Sequence, residues 1–206
     1  MKTKNKKLQN KKNNREHYTK SDGHFMPLQQ AMKAHQHIDR IAWARQKIHE
    51  LESTYHLDVG CKDGYLCLTL AAEGIECLGL DPCEDAIEEA LFKASQAKLD
   101  CSFRAGFIED LPQPAFTFDT VSALEVLEHV VDPKPVLEKL ARLAHFVLIS
   151  TPDYYGRHGW EDAENNEEHV RIYKQSELEK VIKKYGEIKE SVVRDDQICI
   201  LFRTKI

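Results

Sequence analysis

The 206-residue chain has no apolar run of the roughly 18 residues that a membrane-spanning helix needs. Its first twenty residues carry charge without the apolar stretch of a secretory leader. Both absences lead us to expect a cytoplasmic protein with no membrane partner. There is no C-x-x-C pair among the six cysteines (Cys61, Cys67, Cys77, Cys83, Cys101 and Cys199). Because they fall inside or beside expected core elements, buried free thiols are favoured over zinc ligands or disulfides. Glycine is scarce, with nine residues, and no G-x-G-x-x-G occurs. The turn that lets a pyrophosphate rest on a helix N-terminus is therefore missing, and a nicotinamide dinucleotide is disfavoured.

What is present is enough for one sizeable core: 42% of residues are hydrophobic and 31% charged. Charge is uneven. Residues 1–20 carry eight basic side chains against Glu16 alone, a net +7, so an overall −5 leaves −12 on the rest. A basic, low-complexity tail over residues 1–24 is expected to be solvated and disordered. An acidic body repels phosphate backbones, which disfavours nucleic acid as a partner without excluding it. Residues 25–206 form the expected single domain. Its leading helix, Pro27–Glu52, has an apolar stripe from Ala31 to Ile48 and includes His35, His37 and Trp43.

The chain is organised around Tyr55–Pro82. Leu57 and Val59 mark a buried strand running into Asp58, Gly60 and Gly64, a turn where backbone can approach a ligand. A helix over Tyr65–Glu73 follows, ended by Gly74, and then a strand over Glu76–Leu80 closing on Asp81. An acidic residue about twenty positions after a glycine turn is where open α/β folds set a carboxylate against ribose hydroxyls, so the ligand is expected to be a nucleoside.

The turn Gly60-Cys61-Lys62-Asp63-Gly64, with Asp58 before it and Asp81-Pro82 after it, resembles motif I of the class I S-adenosylmethionine-dependent methyltransferases. It departs from the usual D-x-G-x-G-x-G at Lys62, where the family has its middle glycine. Two later strings extend the resemblance over about residues 50–206. AGFIEDLP is similar to the family's adenine loop, though Phe107 takes the acidic position. Phe118–Pro133, with its FDxVxxxEVLEHVxDP pattern, resembles the corresponding segment of the ubiquinone-pathway O-methyltransferases.

The resemblance implies a Rossmann-like class I methyltransferase fold of the α/β class, with a seven-stranded, mostly parallel sheet flanked by helices and ending in an antiparallel hairpin. It implies S-adenosylmethionine as cofactor, met by Asp58, Gly60, Cys61, Lys62, Gly64, Asp81, Pro82, Phe107, Ile108, Glu109, Leu124 and Glu125. In the adenine loop, the Ile108 backbone and the Phe107 ring are expected at the base, with Glu109 in place of the missing carboxylate.

On one helical turn, Glu125, Glu128 and His129 would be i, i+3 and i+4 and point the same way. They are the catalytic candidates, with His129 as a base near neutral pH. The E-x-x-E-H string followed by His169 also resembles the metal set of small-RNA 3′-terminal 2′-O-methyltransferases and of the ubiquinone-pathway enzymes. A divalent ion, magnesium or manganese, on Glu125, Glu128, His129 and His169 stands beside a reading in which Glu125 only lines the pocket, Glu128 and His129 only fix a helix start, and His169 is a surface residue beside Glu167 and Glu168. The aromatic and acidic loop Asp153–Glu168 is a candidate substrate lid.

Three functions follow: methyl transfer to a small molecule at oxygen, methylation of an RNA 3′ end, or a non-catalytic scaffold with a degenerate pocket. The sequence leaves the acceptor and the oligomeric state open.

Overall fold

A computed structural model describes residues 19–20, 25, 39–112, 117–155 and 169–205. Among the described residues twelve helices and strands follow one another: α1 (Asp39–Glu50), β1 (Tyr55–Val59), α2 (Tyr65–Ala72), β2 (Glu76–Asp81), α3 (Glu84–Ala97), β3 (Ser102–Ala105), β4 (Phe118–Leu124), α4 (Pro133–Leu143), β5 (Ala144–Pro152), α5 (Gln175–Ile182), β6 (Gly186–Arg194) and β7 (Gln197–Thr204). Two 3₁₀ turns, Ile108–Asp110 and Leu127–His129, follow β3 and β4. The seven strands form one sheet in the order β3-β2-β1-β4-β5-β7-β6. Pairing is parallel from β3 to β5 and antiparallel on both sides of β7. The expected fold, a Rossmann-like class I methyltransferase sheet with a terminal hairpin, is the one observed.

Helices cover both faces, so the central strands read as apolar runs rather than alternating ones. Leu57, Val59, Val121, Ala123, Val147 and Ile149 build the core on one face with Leu137 and Leu140 of α4. Leu148, Cys199 and Leu201 build it on the other with Trp43, Ala44 and Ile48 of α1 and Leu66 and Leu70 of α2. Residue Trp43 is wholly buried and donates from Nε1 to Glu190 (2.7 Å), so α1 serves packing. His35, His37 and the earlier part of the expected leading helix lie outside the described residues.

Local chemistry sets the boundaries. Helix α4 begins where Asp132 accepts from the Lys134 amide (3.1 Å) with Pro133 in the first turn. The β6–β7 hairpin turns on Asp195 and Asp196, both at positive φ (40° and 60°). Two such central residues match the right-handed twist of the flanking strands. Strand β5 is nine residues long because β4 pairs with it from Ala144 and β7 pairs with it as far as Pro152. Five of the six cysteines are buried and all are free thiols.

Strands β1 and β4 are neighbours, yet the chain winds one way from β1 to β3 and the other way from β4 to β5. Ligands bind at such a reversal, outside the carboxyl ends of the strands. Asp58, Asp81 and Glu125 all lie at that rim.

Candidate functional site at the carboxyl rim of the sheet

The glycine turn is pinned to β2 by two amides: those of Gly60 (2.7 Å) and Cys61 (3.2 Å) both donate to the Leu80 carbonyl. Gly60 has φ +76°, and a Cβ there would stand 2.7 Å from Val126 Cγ2. Gly64 has φ +80°, and its Cβ would stand 2.6 Å from the Phe103 ring. Both glycines are thus required by the turn and by tight packing around it. The thiol of Cys61 is buried in the core, which pushes its pKa up, so only its backbone serves the turn.

Lys62, where the resemblance leads one to expect glycine, adopts the left-handed conformation that glycine would (φ 50°) and is exposed. Its amide donates to Asp81 Oδ2 (2.8 Å) while the Cys83 amide donates to Oδ1 (2.9 Å). A carboxylate oxygen accepts more than one bond, so Asp81 retains capacity for two ribose hydroxyls. Burial raises the pKa of Asp81 and the two amides oppose that rise. The Gly106 amide donates to the Asp81 carbonyl (2.9 Å), which brings the β3 loop alongside. In that loop Phe107 is half-buried, Ile108 is in the core and Glu109 is exposed. Pro82 and Leu124 are half-buried at the same rim.

One residue beneath the turn escaped the sequence reading. Lys93 of α3 is only 4% exposed, with its Nζ 2.6 Å from Asp63 Oδ2 and 3.5 Å from Glu89 Oε1. This ion pair ties the turn to α3. The signal was available in the helical spacing, since Lys93 shares the buried stripe of Ala86, Ala90 and Ala94. A lysine on an apolar stripe needs an anion to meet it.

The expectation of one helical face for Glu125, Glu128 and His129 is corrected by the structure. Glu125 closes β4 in the left-handed conformation (φ 58°), and only Leu127–His129 is helical, as a single 3₁₀ turn. Its carboxylate accepts from Ser150 Oγ (2.9 Å), and the Gln197 amide, oriented by its partners, donates to both of its oxygens. Burial raises the pKa of Glu125, opposed by Arg40 and by these hydrogen bonds.

Glu128 and His129 instead meet His169: one ligand atom from each lies within 4.8 Å of the others. The two imidazoles stand edge to face with centroids 4.8 Å apart. His169 is held by Tyr154, whose hydroxyl is 2.8 Å from Nδ1. The chain after it is strapped onto the turn: the Val170 and Arg171 amides donate to the Glu128 carbonyl (2.9 and 3.0 Å), and Arg171 Nε donates to the Val130 and Val131 carbonyls. Glu128 is fully buried, and neither of its oxygens has a hydrogen-bond partner. The Thr151 hydroxyl and the Glu128 amide lie beside the carboxylate and favour its charged form, without reaching hydrogen-bond geometry. Burial first, and then the charge of Glu125, pushes the Glu128 pKa well above the carboxylate range. His158 and Trp160 of the expected lid lie outside the described residues.

The arrangement can therefore do two things. Asp81 and the pinned turn present acceptors and backbone over β1 and β2, and a buried carboxylate with two imidazoles that could hold a cation lies just beyond β4. No helix among the described residues is long and apolar enough to cross a membrane.

Comparison with known proteins accords with this geometry. The profile of the methyltransferase domain family matches residues 20–186. Ubiquinone biosynthesis O-methyltransferase of Coxiella burnetii is 36% identical over 104 residues, covering 50% of this chain and 44% of that protein. The enzyme of the same name from Bordetella parapertussis is 33% identical over 117 residues, covering 54% and 48%. The chain spans about half the length of the curated relatives it matches. Among solved structures, magnesium protoporphyrin IX methyltransferase from Synechocystis, with bound S-adenosylhomocysteine, superposes with a TM-score of 0.71 at 19% identity, covering 90% of each chain. An S-adenosylmethionine-dependent methyltransferase from Clostridium acetobutylicum gives 0.66 at 15% identity, covering 84% of this chain and 97% of that one. These structural likenesses establish the fold, and the profile match over most of the chain establishes that it belongs to the methyltransferase domain family.

Proposed function

We propose that this chain is an S-adenosylmethionine-dependent methyltransferase acting on a hydroxyl of a small molecule, with a divalent cation held by Glu128, His129 and His169. The observation that carries the reading is Glu128, a fully buried carboxylate with both oxygens unpartnered and two imidazoles beside it. A buried carboxylate in that state costs several kcal/mol unless it is protonated or meets a cation. One carboxylate with two imidazoles suits a divalent transition ion, manganese among them, better than magnesium, which prefers oxygen ligands. A ligating histidine is ordinarily held through its other ring nitrogen, the role Tyr154 takes at Nδ1 of His169.

On the β2 side of the same rim, Asp81 would hold the cofactor through its ribose, and the turn from Gly60 to Gly64 would line its amino-acid end. The cofactor supplies the electrophilic methyl group, and the cation lowers the pKa of a bound hydroxyl. The chain's own work is positioning. Methyl transfer is an in-line displacement, and holding the acceptor oxygen against the methyl group is the larger part of catalysis. The relatives named as O-methyltransferases support oxygen as the acceptor atom. With a cation held, the second carboxylate oxygen of Glu128 would take the hydroxyl proton, and His129 would serve as the base only with no cation on its ring.

Titration calorimetry with S-adenosylhomocysteine, followed by an acceptor screen of catechols and phenols against RNA 3′ ends with and without chelator, tests the reading. Cofactor binding with chelator-sensitive methylation of a phenolic oxygen is expected. Absence of cofactor binding would leave a scaffold, and turnover on RNA alone would move the substrate class.

A further inference from the structure

Beneath the glycine turn, a line of buried polar side chains crosses the sheet. In the parallel pairing of β1 with β4, His56 faces Thr120 and Asp58 faces Ser122. Residues two apart share a face of a strand, so these four side chains stand together. They share the face of Leu148, the register partner of Ser122, which packs with Trp43 and Ala44 of α1. The contacts are continuous: Ser53 Oγ to Thr120 Oγ1 (2.8 Å), Thr120 Oγ1 to His56 Nδ1 (2.8 Å), His56 Nε2 to Ser122 Oγ (2.9 Å) and Ser122 Oγ to Asp58 Oδ1 (2.6 Å). All five residues are at most 5% exposed.

Counting donors leaves two ways to satisfy every member with a neutral ring. When Asp58 is ionised, Ser122 donates to it, His56 Nε2–H donates to Ser122, Thr120 donates to Nδ1 and Ser53 donates to Thr120. When Asp58 is protonated at Oδ1, the oxygen that meets Ser122, every bond reverses, and Ser53 turns to the Tyr55 carbonyl 3.5 Å away. The net change is one proton gained by Asp58 and the His56 ring proton moved from Nε2 to Nδ1. Burial keeps the ring neutral, pushing its pKa down to about 3.

We infer that Ser53, Thr120, His56 and Ser122 are positioning residues that act as one two-state relay: the ionisation of Asp58 and the tautomer of His56 change together. The consequence for function rests on the proposed cofactor site. Ionised Asp58 is the form suited to the ammonium end of S-adenosylmethionine, so the relay sets which form meets the ligand.

Burial raises the Asp58 carboxyl to about 7, with Ser122 opposing and Asp81 adding to the rise. The other titratable groups acting on Asp58 are the thiols of Cys61 in the turn and Cys67 in α2, both pushed up and therefore neutral. From α1, Arg40 acts on Glu125 and Glu128 at the same rim. Since a raised carboxyl is neutral below its pKa, cofactor affinity should fall as the pH drops below about 7.

The test is nitrogen NMR of histidine-labelled full-length protein, without ligand, from pH 5.5 to 8.5. His56 should be protonated on Nδ1 at the acid end and on Nε2 at the alkaline end. Ser122→Ala should abolish the switch, Ser122→Thr should keep it, and Asp58→Asn should lock one tautomer. A single tautomer throughout in the folded wild type, or a switch that survives Ser122→Ala, overturns the relay. Calorimetry with S-adenosylhomocysteine separates the two readings. Affinity should weaken about tenfold per pH unit below the midpoint, which Ser122→Ala should move upward. A switching tautomer without binding at pH 8 would sink the cofactor site and leave the relay. Tight, pH-independent binding with a fixed tautomer would sink the relay and leave the site.

Discussion

Replacing Glu128 by glutamine tests the cation site without needing the substrate. The substitution keeps the shape and removes the charge. In the absence of a cation, burial and the neighbouring Glu125 raise the Glu128 pKa in the folded protein well above its unfolded value. Folding therefore takes up a proton wherever the pH lies between the two values. The stability that protonated Glu128 permits is complete below the unfolded pKa and is lost as the pH rises towards the folded one. The loss runs at about 1.4 kcal/mol per pH unit over that window. For a chain of this size, about 1 kcal/mol moves the melting temperature by roughly 2–4 °C.

Melting curves taken in chelator from pH 5 to 8 should thus fall more steeply for wild type than for Glu128→Gln, with the variant the more stable at pH 8. Groups common to both proteins cancel in the difference. Manganese should then reverse the order. A cation present at a hundred times its dissociation constant stabilises the wild type by about 2.7 kcal/mol, and the variant, lacking the anionic ligand, gains little. Parallel pH curves would show that Glu128 is not buried as described, and equal stabilisation of both proteins by manganese would remove it from the cation site.

Three further outcomes are expected. Asp81→Ala should weaken S-adenosylhomocysteine binding by about 1.5–3 kcal/mol, the worth of hydrogen bonds to a charged group; unchanged affinity by calorimetry would mean that the ribose lies elsewhere. Lys93→Met should cost about 3–5 kcal/mol in urea denaturation, because it strands Asp63 beside an apolar stripe. Adding Asp63→Asn should recover much of that loss, and a loss unchanged in the double variant would argue against the ion pair. Lys62→Gly should raise stability by about 0.5–1 kcal/mol, because glycine adopts φ 50° without the cost a side chain incurs; a lower melting temperature would show that the lysine side chain has a role of its own.

Much of this protein is legible in the residues. Valine and leucine runs bounded by glycine turns, with helix-length segments between them, specify alternating strands and helices, and such alternation leaves little but a parallel sheet. Proline after Asp132 fixes the start of α4, and Asp81 ends β2 at the spacing from the glycine turn where open α/β folds set a carboxylate. These are local signals, in which residue type and spacing decide the outcome. The proposed cation site is not local. On sequence spacing, Glu125 joins Glu128 and His129 on one face, but that spacing holds only if the segment is helical. The fold places Glu125 at the end of β4, and pairing with β5 and β7 brings Ser150 and Gln197 to its carboxylate. His169, forty residues beyond His129, reaches it because Val170 and Arg171 are hydrogen-bonded to the turn. The ladder of His56, Asp58, Thr120 and Ser122 likewise exists only in the register of β1 against β4. A sequence carries the polar residues of each strand, but a one-residue slip in pairing would send them to opposite faces. Composition and periodicity determined the elements and their order; pairing register and the return of distant segments over one rim decided which side chains meet.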